Sequence, residues 1–494
     1  MLKRLLSFIG ITLFLPIVLV LRIIDSRQTT PLLKRLINFF LVCCLVVPIY
    51  TLAYAGLAYT ALDRFGFIEE QINISGTGSM YPTFPKGTGT DRKNLAKQVV
   101  GTPGMFRYPN GIVVFGKRFF QHIIGRGDIV VAENETIRKT NDRLYGSGAG
   151  VVKRVIAIPG DMLEIRDGIV ILNDAEQKEP YVAQARSTFG GSFLRDCQSL
   201  TIPPDKYFIM GDNRKVSGDS RQSFGLIDNA DIQYVIPFAS QRGVLDANWH
   251  DAQNDLTDSA RISINKQDFL DTLNIQRNEN GVKNLRYQSK LELSGQKRGE
   301  VVLKYDDFSS EASRSGYSMT KAMNAAGYSN IIYGEWLLLG YYESQELLDN
   351  LMEFPDGKDF IMNKEYQDIG IAEVQGNLNG CPAHMVVLHF GGYKPPDYSA
   401  DIVQSWKTAL TQLQIVQPQW LNLKNAASFY NDHKNEVDRI NELIAIRIQN
   451  IRPITELMDK NLWLTNEQQQ YMQKDAGIAA EIQNIAGKLN SYAR

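Results

Sequence analysis

Three short blocks of the sequence bring together residue types that nucleophilic catalysis needs. The first, residues 75–84, places Ser79 among small residues, so its hydroxyl and backbone can approach a reacting group. The second, residues 152–161, opens a mostly apolar strand with Lys153, and the third, residues 210–225, is a polar run after a predicted strand. Each block alone has an ordinary interpretation: a turn, a solvated lysine, and a polar loop or a poor calcium-loop mimic without the correctly spaced glutamate.

Ser79 would need a neighbouring base, because a serine hydroxyl is a weak nucleophile. His122 is the only histidine between the apolar N-terminal runs and the second block, so no histidine triad is available. A lysine can act as the base only in its neutral form. Lowering its pKa from about 10.4 to near 7 costs roughly 4–5 kcal/mol, which burial in an apolar strand can supply.

Together the blocks resemble the type I signal peptidases, a family of membrane-bound serine proteases. The motifs Ser-Met-x-Pro-Thr, Lys-Arg-Val-x-x-x-Pro-Gly-Asp and Gly-Asp-Asn-Arg-x-x-Ser-x-Asp-Ser-Arg occur in the family's order, and the resemblance covers residues 36–238. It implies that Ser79 is the nucleophile and Lys153 the general base, with the Thr77 hydroxyl and the Ser79 amide donating to the oxyanion. Ser217 would orient the lysine ammonium. The resemblance also implies that Asp212, Asp219 and Arg221 support the structure of the site. It implies neither a cofactor nor a metal.

The resemblance implies an endopeptidase that removes signal peptides from exported preproteins, cleaving after small residues at the −3 and −1 positions through an acyl-enzyme. A self-cleaving Ser-Lys peptidase is one alternative, which the apolar runs and the third block disfavour. The other is a surface binding protein with an inert peptidase fold, which the intact serine and lysine disfavour.

Composition excludes several classes of protein. The 53 Lys and Arg residues balance 54 Asp and Glu residues, which gives a net charge of −1 and no general attraction to nucleic acid. The length of 494 residues allows about three domains. Four cysteines in such a chain cannot make a disulfide framework.

The N-terminal region, residues 1–65, predicts two membrane-spanning helices at about 5–24 and 36–62, since each contains an apolar run near the length a bilayer requires. A cleaved secretory signal is the alternative for the first run, but no Ala-x-Ala-like site follows it. The loop between the runs carries Arg22, Arg27, Lys34 and Arg35. This loop should therefore be cytoplasmic, which places the rest of the chain outside the cytoplasm of a multi-pass membrane protein whose partners include the lipid bilayer.

The remainder reads as a multi-domain chain. Short β-branched runs separated by turn residues predict an all-β catalytic domain over 72–238, followed by a polar linker at 239–263. Residues 264–395 mix helical and strand patterns, which predicts an α+β domain. Residues 396–494 predict a helical tail broken only at Pro418 and Pro453, packing on its own chain or on a partner. Its apolar stripe consists of Val437, Ile440, Ile444, Ile448 and Ile451.

The α+β region is similar to the CAP superfamily, the fold of cysteine-rich secretory proteins, over residues 269–393. Many CAP domains bind a divalent metal through two histidines, but Ser309, Ser310 and Lys358 stand near the expected positions and Glu335 alone remains. We therefore expect a binding or spacer module without a metal and with an unknown ligand. His384 and His389 lie on a strand-like stretch and are expected to be packed histidines.

About forty residues separate the first block from the Gly-Asp-Ile-Val-Val strand, where the family pattern predicts near contiguity. This insertion, about 88–126, is interpreted as a simple hairpin or as a loop that dips into the membrane or shapes the substrate groove.

Overall fold

A computed structural model describes residues 31–492 except 42, 45, 46, 90, 223 and 258. The predicted first apolar helix, about 5–24, lies outside the described residues. Helices α1 (Leu32–Leu41) and α2 (Val47–Arg64) overlap the second apolar run, about 36–62, and extend beyond its two ends. No helix formed by the described residues has both the length and the apolar character needed to cross a bilayer. The prediction of two membrane-spanning helices therefore has no support from these residues.

The catalytic region is all-β, as predicted, with three short helices. Its strands are β1 (Glu70–Gln71), β2 (Ile74–Ser75), β3 (Val99–Gly101), β4 (Gly104–Arg107), β5 (Ile112–Val114), β6 (Lys117–Phe119), β7 (Ile129–Ala132), β8 (Val151–Ala157), β9 (Met162–Arg166), β10 (Ile169–Leu172), β11 (Ala175–Glu176), β12 (Leu200–Thr201), β13 (Lys206–Met210), β14 (Ile227–Asp228) and β15 (Ile232–Ile236). The helices are α3 (Arg92–Lys97), α4 (Glu135–Tyr145) and α5 (Phe238–Gln241).

A seven-stranded sheet in the order β1-β4-β15-β7-β8-β13-β14 carries the second block in its interior. Strand β8 lies between β7 and β13, and it is antiparallel to both. Side chains alternate across the sheet. Val130 and Val235 pack into a core on one face, whereas Ile129 and Ile236 pack on the other with Met80 and Phe84 of the first block. The serine block is therefore anchored directly on the sheet that carries Lys153.

The insertion contains α3 and the β5–β6 hairpin, whose tip, Phe115, is fully exposed. A helix that the sequence analysis did not predict, α4, connects β7 to β8. Asn134 caps it, because its side-chain oxygen accepts a hydrogen bond from the Ile137 amide, and Gly146 ends it in the left-handed conformation.

The α+β region contains α6 (Lys266–Glu279), α7 (Ser289–Lys304), α8 (Met319–Ala325), α9 (Ser344–Glu353) and α10 (Pro355–Ile361). Its sheet has the order β16-β18-β19-β17, formed by β16 (Arg286–Tyr287), β17 (Ile332–Leu339), β18 (Asp368–Leu378) and β19 (Cys381–Gly392). Helix α7 packs on β18 through Gly299, where an added Cβ would lie 2.7 Å from Val374. Below, this region is called the second domain.

The catalytic region and the second domain form one compact unit up to Gly391. The predicted linker at 239–263 is not an extended connector. Gln241 is fully buried, and the Trp249 ring stacks on Phe238 with 6.0 Å between ring centroids. One disulfide, Cys197–Cys381, joins the catalytic region to β19, although the low cysteine count predicted no disulfide framework.

The tail forms a unit of its own and is helical, as predicted. It contains α11 (Ala400–Asn422), α12 (Ala427–Asp432), α13 (Lys434–Asp459) and α14 (Asn466–Tyr492). The predicted stripe on α13 is buried in the core of this unit, against apolar residues of α11 and α14. Helices α11 and α13 continue through Pro418 and Pro453, so the expectation of breaks there is wrong. A proline removes only one backbone donor, and buried packing along the helix can offset that loss.

Candidate active site

Lys153 and Ser79 lie side by side. The Lys153 Nζ is 2.8 Å from the Ser79 Oγ and 3.1 Å from the Val152 carbonyl oxygen, to which it also donates. The lysine side chain is almost completely buried, with 4% of the residue exposed. Sequence spacing alone could not bring these residues together, because 74 positions separate them. Pairing of β8 with β7, and the packing of Met80 and Phe84 on Ile129, bring them into contact.

Burial lowers the pKa of Lys153 to about 8. Loss of hydration disfavours the ammonium form, while the negative charges of Asp219 and then Asp212 oppose the shift. The result lies above the value near 7 expected from the sequence, because two carboxylates stabilise the charged form. A lysine with this pKa is partly neutral near neutral pH, which a general base requires.

The backbone around Ser79 is held by the third block. The Asn213 amide donates to the Ser79 carbonyl oxygen at 3.1 Å. Gly211 lets the two segments approach, because an added Cβ there would lie 2.3 Å from the same carbonyl oxygen. The serine block and the third block are thus in direct contact.

Two of the predicted supporting residues form a buried ion pair. Arg221 donates from Nε and Nη2 to the two carboxylate oxygens of Asp219, both at 2.9 Å. Burial favours the neutral acid, but the charge of Arg221, the hydrogen bonds that Asp219 accepts and the charge of Lys153 together outweigh it and hold the pKa of Asp219 below its usual value. The ion pair fixes a permanent negative charge close to Lys153.

Ser217 does not make the contact expected of it. Its hydroxyl is buried beside Gly211, and among the described residues it has no hydrogen-bond partner, whereas Lys153 bonds to Ser79 and Val152. Thr77 lines the same cavity as Ser79, and its Oγ1 lies 3.5 Å from the Ser75 Oγ. Thr77, the predicted oxyanion donor, thus lies at the cavity, and the Lys153 Nζ contacts Ser79 and Val152.

Asp212 binds a residue that the sequence analysis did not single out. The Arg154 guanidinium donates to both Asp212 oxygens at 2.8 Å and to the Gln241 side-chain oxygen at 2.6 Å, and all three residues are completely buried. It also lies 4.0 Å from the centre of the Tyr181 ring. The only sign of this cluster in the sequence is the position of Arg154, directly after Lys153 in an apolar strand. That position does not show which residues Arg154 contacts.

The cavity in front of the dyad has a volume of about 350 Å³. Its walls come from the serine block, the start of β8 and the C-terminal end of α4, including Ile74, Met80, Phe84, Leu144, Tyr145, Val151 and Phe224. The cavity is therefore mostly apolar, and Ser79 and Lys153 are among its polar lining residues.

In the second domain, His384 and His389 are buried, and the Glu335 carboxylate is bound by other side chains. The Glu335 Oε2 lies 3.0 Å from the Arg298 Nε and 3.0 Å from the His389 Nε2. His389 also contacts the Ser294 hydroxyl at 2.6 Å through Nδ1. Among the described residues, no group of three or more His, Cys, Asp or Glu side chains could hold a metal ion. The cationic partner of Glu335 is thus supplied by Arg298.

Comparisons with known proteins fit this geometry. Residues 49–237 match the family described as signal peptidase, peptidase S26. Signal peptidase I P of Bacillus subtilis subsp. natto is 35% identical over 125 residues, which is 24% of this chain and 62% of that protein. Across the curated relatives compared, the chain spans between 49% and 62% of their length.

Two solved structures were also similar. A signal peptidase I from Enterococcus faecalis V583 is 28% identical, covering 24% of this chain and 98% of that one with a TM-score of 0.18. An extracellular protein with an SCP domain from Bacillus anthracis is 9% identical, covering 50% and 79% with a TM-score of 0.22.

Proposed function

We propose that this chain, which carries a domain matching the signal peptidase S26 family, is a serine endopeptidase that removes signal peptides from exported preproteins. The observation that carries the proposal is the 2.8 Å separation of the Lys153 Nζ and the Ser79 Oγ, together with a lysine pKa lowered to about 8. An inert fold would have no need to keep a buried, partly neutral lysine against a serine hydroxyl.

The reaction proceeds through an acyl-enzyme. Neutral Lys153 accepts the Ser79 proton as Oγ attacks the carbonyl carbon, and the Thr77 hydroxyl and the Ser79 amide donate to the oxyanion. The lysine ammonium then gives its proton to the leaving amine while the C–N bond breaks. Water, deprotonated by Lys153, attacks the carbonyl carbon of the Ser79 ester. As the bond from that carbon to the Ser79 Oγ breaks, the Lys153 ammonium returns the proton to the Oγ, and the peptide leaves as a carboxylic acid that ionises in water.

The remaining site residues have supporting roles. Asp219, held by Arg221, and Asp212, held by Arg154, adjust the lysine pKa through their charges. Ser217 packs beside Gly211, so its proposed part is to keep the third block close to the nucleophile. The mostly apolar cavity, about 350 Å³, receives the substrate segment before the scissile bond, with small residues at −3 and −1.

The catalytic region and second domain are proposed to lie on the extracytoplasmic side of a cell membrane, with the N-terminal apolar runs as anchors. Two observations support this location. The loop between the runs is rich in cations, and the Cys197–Cys381 disulfide is of a kind that persists in oxidising compartments.

Cleavage of a purified preprotein by the detergent-solubilised protein tests the function. The wild type should release the mature chain, while Ser79→Ala and Lys153→Arg should be inactive, because the first lacks the nucleophile and the second cannot lose its proton near neutrality. Lys139→Arg, an exposed lysine on α4, is the matched control and should keep full activity. Cleavage by pure Lys153→Arg protein would refute the Ser-Lys mechanism.

A further inference from the structure

The end of one helix of the second domain lies beside the serine block. The last turn of α9 contributes Met352 and Glu353 to a cavity of about 130 Å³, and Thr77 and Gly78 form another part of its wall. Thr77 and Gly78 also line the larger cavity that contains Ser79 and Lys153. The two cavities therefore adjoin at the backbone that precedes the nucleophile.

Helix α9 is attached to the third block through Lys215. The Lys215 Nζ lies 2.7 Å from the Glu346 carboxylate, donates to the Tyr341 carbonyl oxygen, and lies 3.8 Å from the centre of the Tyr342 ring. Because Lys215 is in the same loop as Asp219, this contact fixes the position of α9 relative to the dyad.

Further contacts hold the end of α9 against the insertion. The Arg92 guanidinium lies 4.1 Å from the centre of the Phe354 ring, and its Nη2 is 3.5 Å from the Glu353 carboxylate. The Cys197–Cys381 disulfide provides a covalent attachment elsewhere between the two regions. The wall that α9 gives to the smaller cavity is thus fixed by several independent contacts.

The smaller cavity has room for a side chain of small or medium size. Glycine backbone, Leu95 and Met352 form about half of its lining, and the other half is polar, with Thr77, Lys86, Asn213, Asp349 and Glu353. Its two carboxylates are already matched by cations, since Asp349 lies 3.7 Å from Lys86 and Glu353 lies beside Arg92. A volume of about 130 Å³ exceeds the roughly 30 Å³ that one water molecule occupies in the liquid.

We infer that this smaller cavity is a substrate subsite, which receives the residue that follows the scissile bond, and that Met352 of the second domain determines which residues fit there. The inference rests on the proposed function, which assigns the larger cavity to the segment before the scissile bond. The part of the substrate after the scissile bond leaves as the amine. The smaller cavity, which adjoins the larger one at Thr77 and Gly78, can receive its first side chain.

The test changes the size of Met352 in the full-length protein. Met352→Trp should fill the cavity and lower kcat/KM at least roughly tenfold for peptides with leucine after the scissile bond, with little change for peptides with alanine there. Met352→Ala should instead improve cleavage of peptides with phenylalanine at that position. Leu293→Trp, at an exposed position of α7 in the same domain, is the matched control and should leave all three peptides unaffected.

A binding experiment separates this inference from the proposed function. Fluorescence anisotropy measures how tightly the same peptides bind to protein that carries Ser79→Ala. If the wild type cleaves nothing but peptide binding still depends on the size of residue 352, the proposed function fails and the subsite stands. An equal change for every peptide, a dependence on the residue before the scissile bond, or binding that ignores residue 352 would each overturn the inference.

Discussion

Lys153 makes the reaction rate sensitive to pH in a predictable direction. With its pKa lowered to about 8, roughly one lysine in ten is neutral at pH 7, and this fraction rises to most of the population above pH 9. We expect kcat/KM to rise with pH and to level off above about 9, because the neutral amine is the base. A peptide without ionisable groups in this range should be used for the profile. A rate that is constant or falls from pH 6 to 9 would contradict this assignment.

Thr77 offers a second test at the scale of a single residue. Its hydroxyl is proposed as one of two oxyanion donors, so Thr77→Ala should lower kcat by about 10²–10³ with little change in KM. Thr77→Ser retains the hydroxyl and should keep most of the activity. If both variants lose activity equally, Thr77 contributes through its methyl group and packing rather than through hydrogen bonding.

Two adjacent residues of strand β8, Lys153 and Arg154, lie on opposite faces of the sheet and have different environments. Lys153 faces the dyad cavity, while Arg154 lies in a buried cluster with Asp212. Removing the carboxylate would leave Arg154 buried without its counter-charge, so Asp212→Ala should lower the free energy of unfolding by about 3–5 kcal/mol. Urea unfolding measures this change. Glu135→Ala, which breaks an exposed ion pair with Lys139 on α4, should not move the midpoint measurably.

The sequence predicts strand β8 but not all of the residues that its side chains contact. The apolar pattern of residues 151–157 is enough to predict β8, because β-branched runs between turn residues have few alternatives. The motifs also predicted that Ser79 and Lys153 share a site, and their side chains lie in hydrogen-bond contact; their catalytic roles stay predictions. The Gln241 contact with Arg154 could not be predicted, because it comes from a polar segment that reads as a linker.

At the scale of the whole molecule, a disulfide joins the two regions of the compact unit that contains Ser79 and Lys153. Cys197 and Cys381 are 184 residues apart, so their disulfide restricts a long loop of the unfolded chain. Replacing both by serine should lower the free energy of unfolding by about 2–5 kcal/mol and bring the urea midpoint down. Replacing Cys43 and Cys44, which are free, is the matched control. An unchanged midpoint after loss of the disulfide would show that noncovalent contacts alone hold the two regions together.

Contacts between residues that are far apart in the sequence could not be predicted. The helical tail was predicted because its stripe repeats over a single helix, and such periodicity needs no knowledge of a partner. Pairing of Cys197 with Cys381, or contact of Lys215 with Glu346, depends on how two regions that are far apart in the sequence meet. No local pattern records that geometry, so the approach of the second domain to the serine block could be found only in three dimensions.

The alternation of side chains along β8 has a consequence for how such chains can change over generations. Inserting or deleting one residue before Lys153 within the strand would turn the permanent charge of Arg154 toward Ser79 and the lysine toward Asp212. Gain or loss of residues should therefore be eliminated by selection inside Val151–Ala157. The segment with α4, which joins two neighbouring antiparallel strands, can grow or shrink without altering which side of β8 faces the serine. Length variation among descendants of this gene should accordingly be concentrated near the start of α4, because the C-terminal end of that helix lines the cavity and β8 fixes the two faces.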